Sequence, residues 1–188
     1  MSAFRLLCTA IALSVLSVTV ASAEPYKIDA THSAVVFKIR HLGVGYVFGR
    51  FNVVEGTVDV SDDPSKEVFN ATVKADSLDT GNGKRDTHLK SPDFFSVKEF
   101  PTITFKSKSV KPAGDKKVEV VGDLTLHGKT KEITVTMDRT GPVDTKVGKL
   151  AGYDTSFTIK RSDFGMKTML DAVGDEVTLM ISLECDKD

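Results

Sequence analysis

Apolar residues recur at every second position along most of this chain, a period that indicates β-strands. Between residues 32 and 42, Val35, Phe37 and Ile39 are apolar, whereas the intervening Lys38 and Arg40 are charged. A strand with this pattern has one face in the core and one face in water. Similar rows lie within residues 54–60, 69–75, 103–108, 118–126, 133–137, 153–159 and 177–183, with a short run at 26–29. Eight or nine strands of this kind predict an all-β sandwich or barrel.

The charge balance excludes one large class of partners. The chain has 25 Lys and Arg residues against 26 Asp and Glu residues, a formal net charge of −1. A protein that binds nucleic acid through the phosphate backbone needs an excess of positive charge. We therefore predict no nucleic-acid partner. The hydrophobic content of 40% is too high for a disordered chain and typical of a globular domain.

Residues 1–23 have the pattern of a cleavable export signal. Arg5 supplies the positive charge, residues 6–20 form an apolar stretch, and Ala21 and Ala23 are the small residues of a cleavage site. The apolar stretch is shorter than the roughly 20 residues that a membrane-spanning helix needs. We therefore predict a signal peptide at 1–23, a single domain at 24–188 located in the periplasm, and no permanent membrane anchor.

A connection of about twenty residues, 80–101, interrupts the strand pattern. Asn82 is suited to cap a short helix over residues 84–90, and Pro92 would end that helix. Two consecutive phenylalanines follow. A connection of this length is uncommon inside a compact domain and is usually functional. We predict a short helical flap, around residues 82–95, that carries aromatic side chains onto an opening of the sheet structure.

Motifs of common enzyme classes are absent or incomplete. Residues 43–49 contain three glycines, but the third is one position late for a dinucleotide-binding site and no helix pattern follows, so we treat them as a glycine-rich segment without a strand pattern. The four histidines, at positions 32, 41, 88 and 127, show no metal-binding spacing. Cys185 belongs to an apolar row, and we expect it to be buried. We predict no catalytic residue, no metal ion and no cofactor.

The chain carries more large apolar side chains than a small closed sheet needs. Phenylalanines also occur in glycine-rich or loop segments, where strand packing does not require them, at positions 48, 51, 94, 95, 100 and 164. Two explanations stay open: a minor core beneath the long loop, or the lining of a cavity. A barrel of about eight strands is wide enough to hold one small ligand, and a long cavity would suit a chain-like lipid.

Five segments of the sequence occur in the order and with the content of a known family: DATHS at 29–33, VVFKIRHLG at 35–43, RDTHLKSPDFF at 85–95, GDLTLHGKT at 122–130 and RSDFGM at 161–166. On these motifs the chain resembles the YceI-like family of exported polyisoprenoid-binding proteins, from about residue 26 to residue 184. The resemblance implies an extended, antiparallel, eight-stranded lipocalin-like β-barrel whose pore holds a long isoprenoid or quinone-like lipid. It implies a binding protein with no established catalysis.

The predicted partner is therefore a long-chain polyisoprenoid or quinone-like lipid, which the protein would carry or sequester. We assign its hydrocarbon chain to residues of the apolar rows and of the flap: Val35, Phe37, Phe48, Phe51, Leu89, Phe94, Phe95, Phe100, Phe105, Leu124, Leu126, Phe157 and Phe164. We assign its head group to a polar mouth formed by His32, Arg85 and His88, because these hydrogen-bond donors sit at the edges of apolar segments.

Two other functions are compatible with the same sequence. In the first, His88 and Asp86 act catalytically on a lipid head group such as a diphosphate. In the second, the protein's own phenylalanines fill the cavity, and the protein serves in a stress response or an interaction. The sequence also leaves open a transient contact with a membrane and the formation of a homodimer.

Overall fold

The apolar rows form the strands of an antiparallel barrel in the computed structural model, which describes residues 22–187. Residues 1–21, and with them most of the predicted signal peptide, lie outside the described residues, so the cleavage of that peptide stays a prediction. The strands are β1 (Glu24–Ile28), β2 (Ala34–His41), β3 (Gly45–Phe51), β4 (Val54–Val60), β5 (Val68–Lys74), β6 (Leu78–Asp79), β7 (Thr102–Pro112), β8 (Lys117–Leu126), β9 (Lys129–Thr145), β10 (Gly148–Lys160) and β11 (Val173–Lys187).

Eight of these strands close a barrel, which confirms the predicted fold. Their order around the barrel is β1, β4, β5, β7, β8, β9, β10 and β11, and β11 pairs again with β1. All of the neighbouring pairs are antiparallel. The turn between β8 and β9 consists of His127 and Gly128, both with positive φ, as a two-residue hairpin requires. Closure leaves the ring without unpaired strand edges.

β1 and β2 share one edge of the long strand β11. β1 pairs with its C-terminal end, at Cys185 and Asp186, whereas β2 pairs with the stretch from Val173 to Ser182. β3 then pairs with β2, and the short β6 pairs with β3. These three strands therefore extend the wall of the barrel at one end, where β1 does not reach.

Most of residues 43–49, the glycine-rich segment for which no strand was predicted, belong to β3. Gly49 makes this strand hard to recognise from the sequence. A Cβ atom at this position would lie 2.3 Å from the ring of Phe37, so only glycine leaves room for that ring. Glycine thus interrupts the apolar row without ending the strand. The alternation of β3 also turns Phe48 to the outer face, where it is 55% exposed.

One end of the barrel is filled by its own side chains. Tyr26, Val60, Val118, Val120 and Tyr153 belong to one cluster, and none is more than 2% exposed. We call this end, defined by these five residues, the sealed end. Its side chains interdigitate as in an ordinary protein core. The predicted burial of Cys185 is also confirmed, and burial raises the pKa of its thiol to about 12.

A buried ion pair completes the sealed end. Arg139 on β9 donates to Glu67 Oε1 from Nε and from Nη2, at 3.0 and 2.9 Å. The same guanidinium donates to the carbonyl oxygens of Ser61 and Gly141, both at 2.7 Å. The Glu67 side chain is fully buried. Burial, together with this carboxylate, raises the pKa of Tyr153.

Helix α1 (Gly83–Lys90) lies at the opposite end and confirms the predicted flap. The Asn82 side chain accepts a hydrogen bond from the Arg85 backbone amide at 3.1 Å, and so caps the helix. After the helix the chain folds back, because the Phe95 amide donates to the Leu89 carbonyl at 2.9 Å. Within residues 22–187, the structure contains no helix with the length and apolar character needed to cross a membrane.

Candidate functional site

Between the sealed end and helix α1 the barrel encloses a cavity of about 330 Å³. Phe105, Phe157, Leu179 and Ile181 line it and remain only half-buried, although they point inward. Inward-facing side chains that nothing covers mark space that the protein does not fill. The volume falls within the range of about 300–1,000 Å³ that is typical of ligand pockets.

Most of the residues assigned to the hydrocarbon chain line this cavity: Val35, Phe37, Phe51, Leu89, Phe94, Phe95, Phe105, Leu124, Leu126 and Phe157. The flap supplies three of them. The Phe95 ring meets Phe51 edge to face at 5.5 Å, and the Phe94 ring meets the His88 imidazole at 5.0 Å. Phe94 and Phe95 therefore line the cavity beside α1, and Phe95 also packs against a small second cluster of Leu124, Leu126, Phe164 and Met166.

Three assigned phenylalanines lie elsewhere. Phe48 is on the outer face of β3, as described above. Phe164 is 2% exposed and belongs to a small second core with Leu124 and Met166. Phe100 packs against the His127 ring at 4.7 Å. Phe164 is thus a satellite core residue, whereas Phe100 packs on the turn between β8 and β9, and the assignment of all three to the cavity is corrected.

The cavity opens beside α1, where its lining residues His41, His88 and Met169 are exposed. We call this opening the mouth. Arg85 also lines the cavity here, and its guanidinium is held in place by Thr80. Its Nε donates to Thr80 Oγ1 and its Nη2 donates to the Thr80 carbonyl, both at 2.7 Å. The predicted positions of Arg85 and His88 at a polar mouth therefore agree with the structure.

The structure does not bring His88 and Asp86 together. Asp86 Oδ1 accepts hydrogen bonds from the Thr80 amide and hydroxyl, at 2.9 and 2.5 Å, so this carboxylate fixes the connection into α1. The carboxylate that faces His88 is that of Asp93, 3.1 Å from Nε2. His88 and Asp86 therefore have different hydrogen-bond partners, and their joint action on a head group stays a prediction.

Arg161 is a polar residue of the cavity that the sequence analysis missed. It is 3% exposed, and its guanidinium donates to the carbonyl oxygens of Met166, Val173 and Gly174 at 2.7–2.9 Å. Burial lowers the pKa of this guanidinium. The charge lies 5.9 Å above the Phe94 ring, on the cavity side of the flap.

A sequence signal for Arg161 and His41 existed. Both continue an inward-facing row at the same period of two: Arg161 follows Ile159, and His41 follows Ile39. A polar residue in phase with an apolar row faces the interior by the same geometry as its neighbours. Such residues, one position beyond the apolar part of a row, are predicted to mark the rim of a cavity.

His32 lies outside the cavity, and its assignment to the mouth is corrected. It occupies the turn between β1 and β2, with Nδ1 2.6 Å from Asp29 Oδ2 and 3.7 Å from Glu184 Oε1. The hydrogen bond to Asp29 raises the pKa of His32 and lowers the pKa of Asp29. One nitrogen or oxygen atom from each of Asp29, His32 and Glu184 lies within 4.8 Å of the other two.

The chain matches the family model of the YceI-like domain over residues 26–185. It is 40% identical to the protein YceI of Escherichia coli O157:H7 over 168 residues, which cover 87% of each chain. The crystal structure of BcnA from Burkholderia cenocepacia is similar, with a TM-score of 0.76 and 26% identity, over 84% of this chain and 98% of that one. A polyisoprenoid binding domain from Saccharophagus degradans shares the fold, with a TM-score of 0.67 and 16% identity, over 87% of this chain and 98% of that one. The chain belongs to the YceI-like family.

Proposed function

We propose that this protein binds a long-chain polyisoprenoid or quinone-like lipid, and carries or sequesters it in the periplasm. The observation that carries the proposal is an apolar cavity that is filled at one end and has cationic side chains at the other. The solved domain from Saccharophagus degradans, described as polyisoprenoid-binding, supports the same class of ligand. The protein acts as a binding protein and not as an enzyme.

The cavity suits a chain with one polar end. Each methylene group that leaves water for an apolar site contributes about 0.8 kcal/mol, so the hydrocarbon part is drawn toward the sealed end. The head group then lies at the mouth, near Arg85 and Arg161. Several donors of both guanidiniums are already bonded to protein oxygens. These residues therefore attract a head group chiefly by charge.

Filling the cavity tests the proposal. Ala71 on β5 lines the cavity, and Ala71→Phe would occupy its central part. Thr72→Phe adds the same side chain to the next position of the strand, which faces the opposite side. We expect protein purified without detergent to show a bound lipid, or to take up an added isoprenoid alcohol, in native mass spectrometry. Ala71→Phe should lose this complex, whereas Thr72→Phe should retain it.

The same spectra contain the results that would contradict the proposal. A bare polypeptide mass that does not change when isoprenoid is added would exclude a carrier. Equal loss of lipid in both variants would show that the cavity is not the site. Comparison of an isoprenoid alcohol with its diphosphate tests the head-group assignment, because the charged form should bind more tightly. The mass of the exported polypeptide also reports whether it begins at Glu24.

A further inference from the structure

An apolar patch projects into solvent beside the mouth. Leu42 and Val44, in the turn between β2 and β3, are 61% and 84% exposed, and Met169 and Leu170, in the turn before β11, are 45% and 42% exposed. A hydrogen bond of 2.8 Å from the Leu42 amide to the Ala172 carbonyl holds the two turns side by side. Single exposed apolar residues are ordinary, but a contiguous group of them indicates an interaction site. We call Leu42, Val44, Met169 and Leu170 the mouth patch.

Behind the mouth patch, the outer face of the β2–β3 hairpin carries aromatic and basic residues. Tyr46 and Phe48 are 49% and 55% exposed. The Arg40 guanidinium lies 4.2 Å from the centre of the Tyr46 ring and donates to its hydroxyl at 3.0 Å, and Lys38 Nζ lies 5.2 Å from the same ring centre. Arg40 is the cross-strand partner of Tyr46, and Lys38 is the partner of Phe48, so aromatic and basic residues lie side by side behind the aliphatic tip. A membrane interface favours this arrangement.

The cations of this hairpin keep their charge available. None of the ion pairs among residues 22–187 involves Lys38, Arg40 or Arg50. The acidic residues beside this surface are Asp171, which follows Leu170, and Asp79, which is the cross-strand partner of Arg50 between β3 and β6. Basic residues near a membrane surface are attracted to anionic lipids, each by an amount that falls off within a Debye length. The three cations therefore outnumber these two acids and favour an anionic surface.

Charge also distinguishes a membrane from a second copy of the chain. In a symmetric dimer through this surface, Lys38, Arg40 and Arg50 of each copy would approach the same residues of the other. Like charges brought together at an interface are unfavourable. A bilayer with anionic lipids presents the opposite charge around an apolar interior. The observed combination of residues therefore fits the bilayer better than self-association.

We propose that the mouth patch and the basic face of the β2–β3 hairpin dock onto an anionic lipid bilayer, with Leu42 and Val44 inserted below the head groups. His41, which lines the cavity, directly precedes Leu42, so docking places the mouth against the membrane. Docking itself does not depend on what the cavity holds. Direct passage of a lipid chain from bilayer to cavity rests on the proposed function.

Vesicle flotation with matched variants tests the proposal. Val44→Asp places a charge at the inserted tip, whereas Val147→Asp makes the same change at a valine that is 80% exposed in the β9–β10 turn, at the other end of the barrel. We expect the native chain to float with vesicles of phosphatidylcholine and phosphatidylglycerol, and less in high salt. Val44→Asp should weaken this binding about tenfold, and Val147→Asp should leave it unchanged. Both changes are on exposed side chains, so the thermal midpoint should stay the same.

Three results would overturn the proposal: no flotation of the native chain, equal flotation of the two variants, or a native dimer that Val44→Asp converts to a monomer in sedimentation velocity. Lipid uptake separates this proposal from the proposed function. If the cavity binds no isoprenoid while the native chain still floats and Val44→Asp does not, the proposed function fails and docking stands. If both are correct, Val44→Asp should slow uptake from vesicles without reducing the amount of lipid bound at equilibrium.

Discussion

His32 is a histidine whose protonation is coupled to a neighbouring carboxylate. The hydrogen bond to Asp29 raises its pKa above the ordinary 6.5, with further help from the charges of Asp29 and Glu184. A group whose pKa is raised by folding stabilises the fold fully below its unfolded pKa, and this contribution is lost as the pH rises through the folded pKa. We therefore expect an NMR titration of the His32 ring to give a midpoint above 6.5.

Two carboxylate variants serve as controls for that titration. Asp29→Asn removes the hydrogen-bond partner with the largest effect and should bring the midpoint back toward 6.5. Glu184→Gln removes a smaller, purely electrostatic effect and should lower the midpoint less. An unchanged midpoint in Asp29→Asn would show that the contact at 2.6 Å does not persist in solution.

Single positions of the cavity were predictable where a row stayed regular and unpredictable where it did not. Phe105 and Phe157 line the cavity, and their inward direction was predictable because their neighbours two positions away are also apolar or face inward. Phe48 was assigned wrongly because Gly49 interrupts the apolar row of β3, so the sequence does not show which side of the strand faces inward. Arg161 was missed because its charge argued against the interior. Its three bonds to carbonyl oxygens, which make burial tolerable, go to Met166 and to Val173 and Gly174 at the start of β11, and they cannot be inferred from the row itself.

Helix α1 depends on its N-terminal cap, because it is a single short helix of eight residues. Asn82→Ala removes the side-chain oxygen that accepts from the Arg85 amide, at a cost of about 1 kcal/mol. We expect amide hydrogens in residues 83–90 to exchange about fivefold faster, as this free energy corresponds to that ratio. Hydrogen exchange followed by mass spectrometry measures the effect on this segment.

A neighbouring exposed position gives the matched control for the cap. Lys84→Ala changes a side chain of the same helix that has no capping bond, and exchange in residues 83–90 should stay near the native rate. Equal rates in Asn82→Ala and Lys84→Ala would contradict the importance of the cap. Slower binding or faster release of lipid in Asn82→Ala would show in addition that α1 controls access to the mouth.

Helix α1 was predicted and strand β3 was missed, because only the helix is marked by residues that are close to it in the sequence. The start and end of α1 were predictable because its two caps are local. Asn82 bonds to Arg85 and Ser91 bonds to His88, each within one helical turn. The strand β3 was missed because Gly49 makes room for the ring of Phe37. Phe37 is twelve positions away in the sequence, and only the fold brings it near. Local propensity therefore suffices for a cap, whereas a close approach between strands requires the pairing itself.

The buried ion pair at the sealed end should be important for the stability of the whole barrel. Arg139→Met leaves the fully buried Glu67 carboxylate without its partner, and we expect a loss of about 3–5 kcal/mol in the free energy of unfolding. Replacing both, as Glu67→Leu with Arg139→Met, should cost less than the sum of the single changes. Urea unfolding of the native chain, the single variants and the double variant gives the coupling free energy.

An exposed ion pair on the same barrel provides the comparison. Lys74 Nζ lies 2.8 Å from Glu55 Oε1, and the two side chains are 41% and 54% exposed. Lys74→Met should therefore lower the free energy of unfolding by less than about 1 kcal/mol. If Arg139→Met and Lys74→Met proved equally mild, the buried pair would not hold the sealed end together. Additive effects of Glu67→Leu and Arg139→Met would lead to the same conclusion.

The barrel could be predicted from the sequence, but the division into a filled end and a hollow part could not. Val118 and Val120 belong to an inward-facing row, and so do Leu179 and Ile181. The first two are completely buried, whereas the second two face the cavity. A period of two indicates which face points inward. It does not indicate the distance to the opposite wall, which depends on strand number, stagger and long-range pairing.

Because one end of the barrel is filled, a chain-like ligand can enter and leave the cavity only at the other end. With Val118, Val120 and Tyr153 packed at one end, whatever enters beside α1 must leave beside α1, and the segment that goes in first comes out last. Each methylene withdrawn into water costs about 0.8 kcal/mol, a factor of about four in rate. Residence time should therefore lengthen steeply with the number of buried carbons. The length of the hydrocarbon tail, more than the identity of the head group, should determine the rate of release.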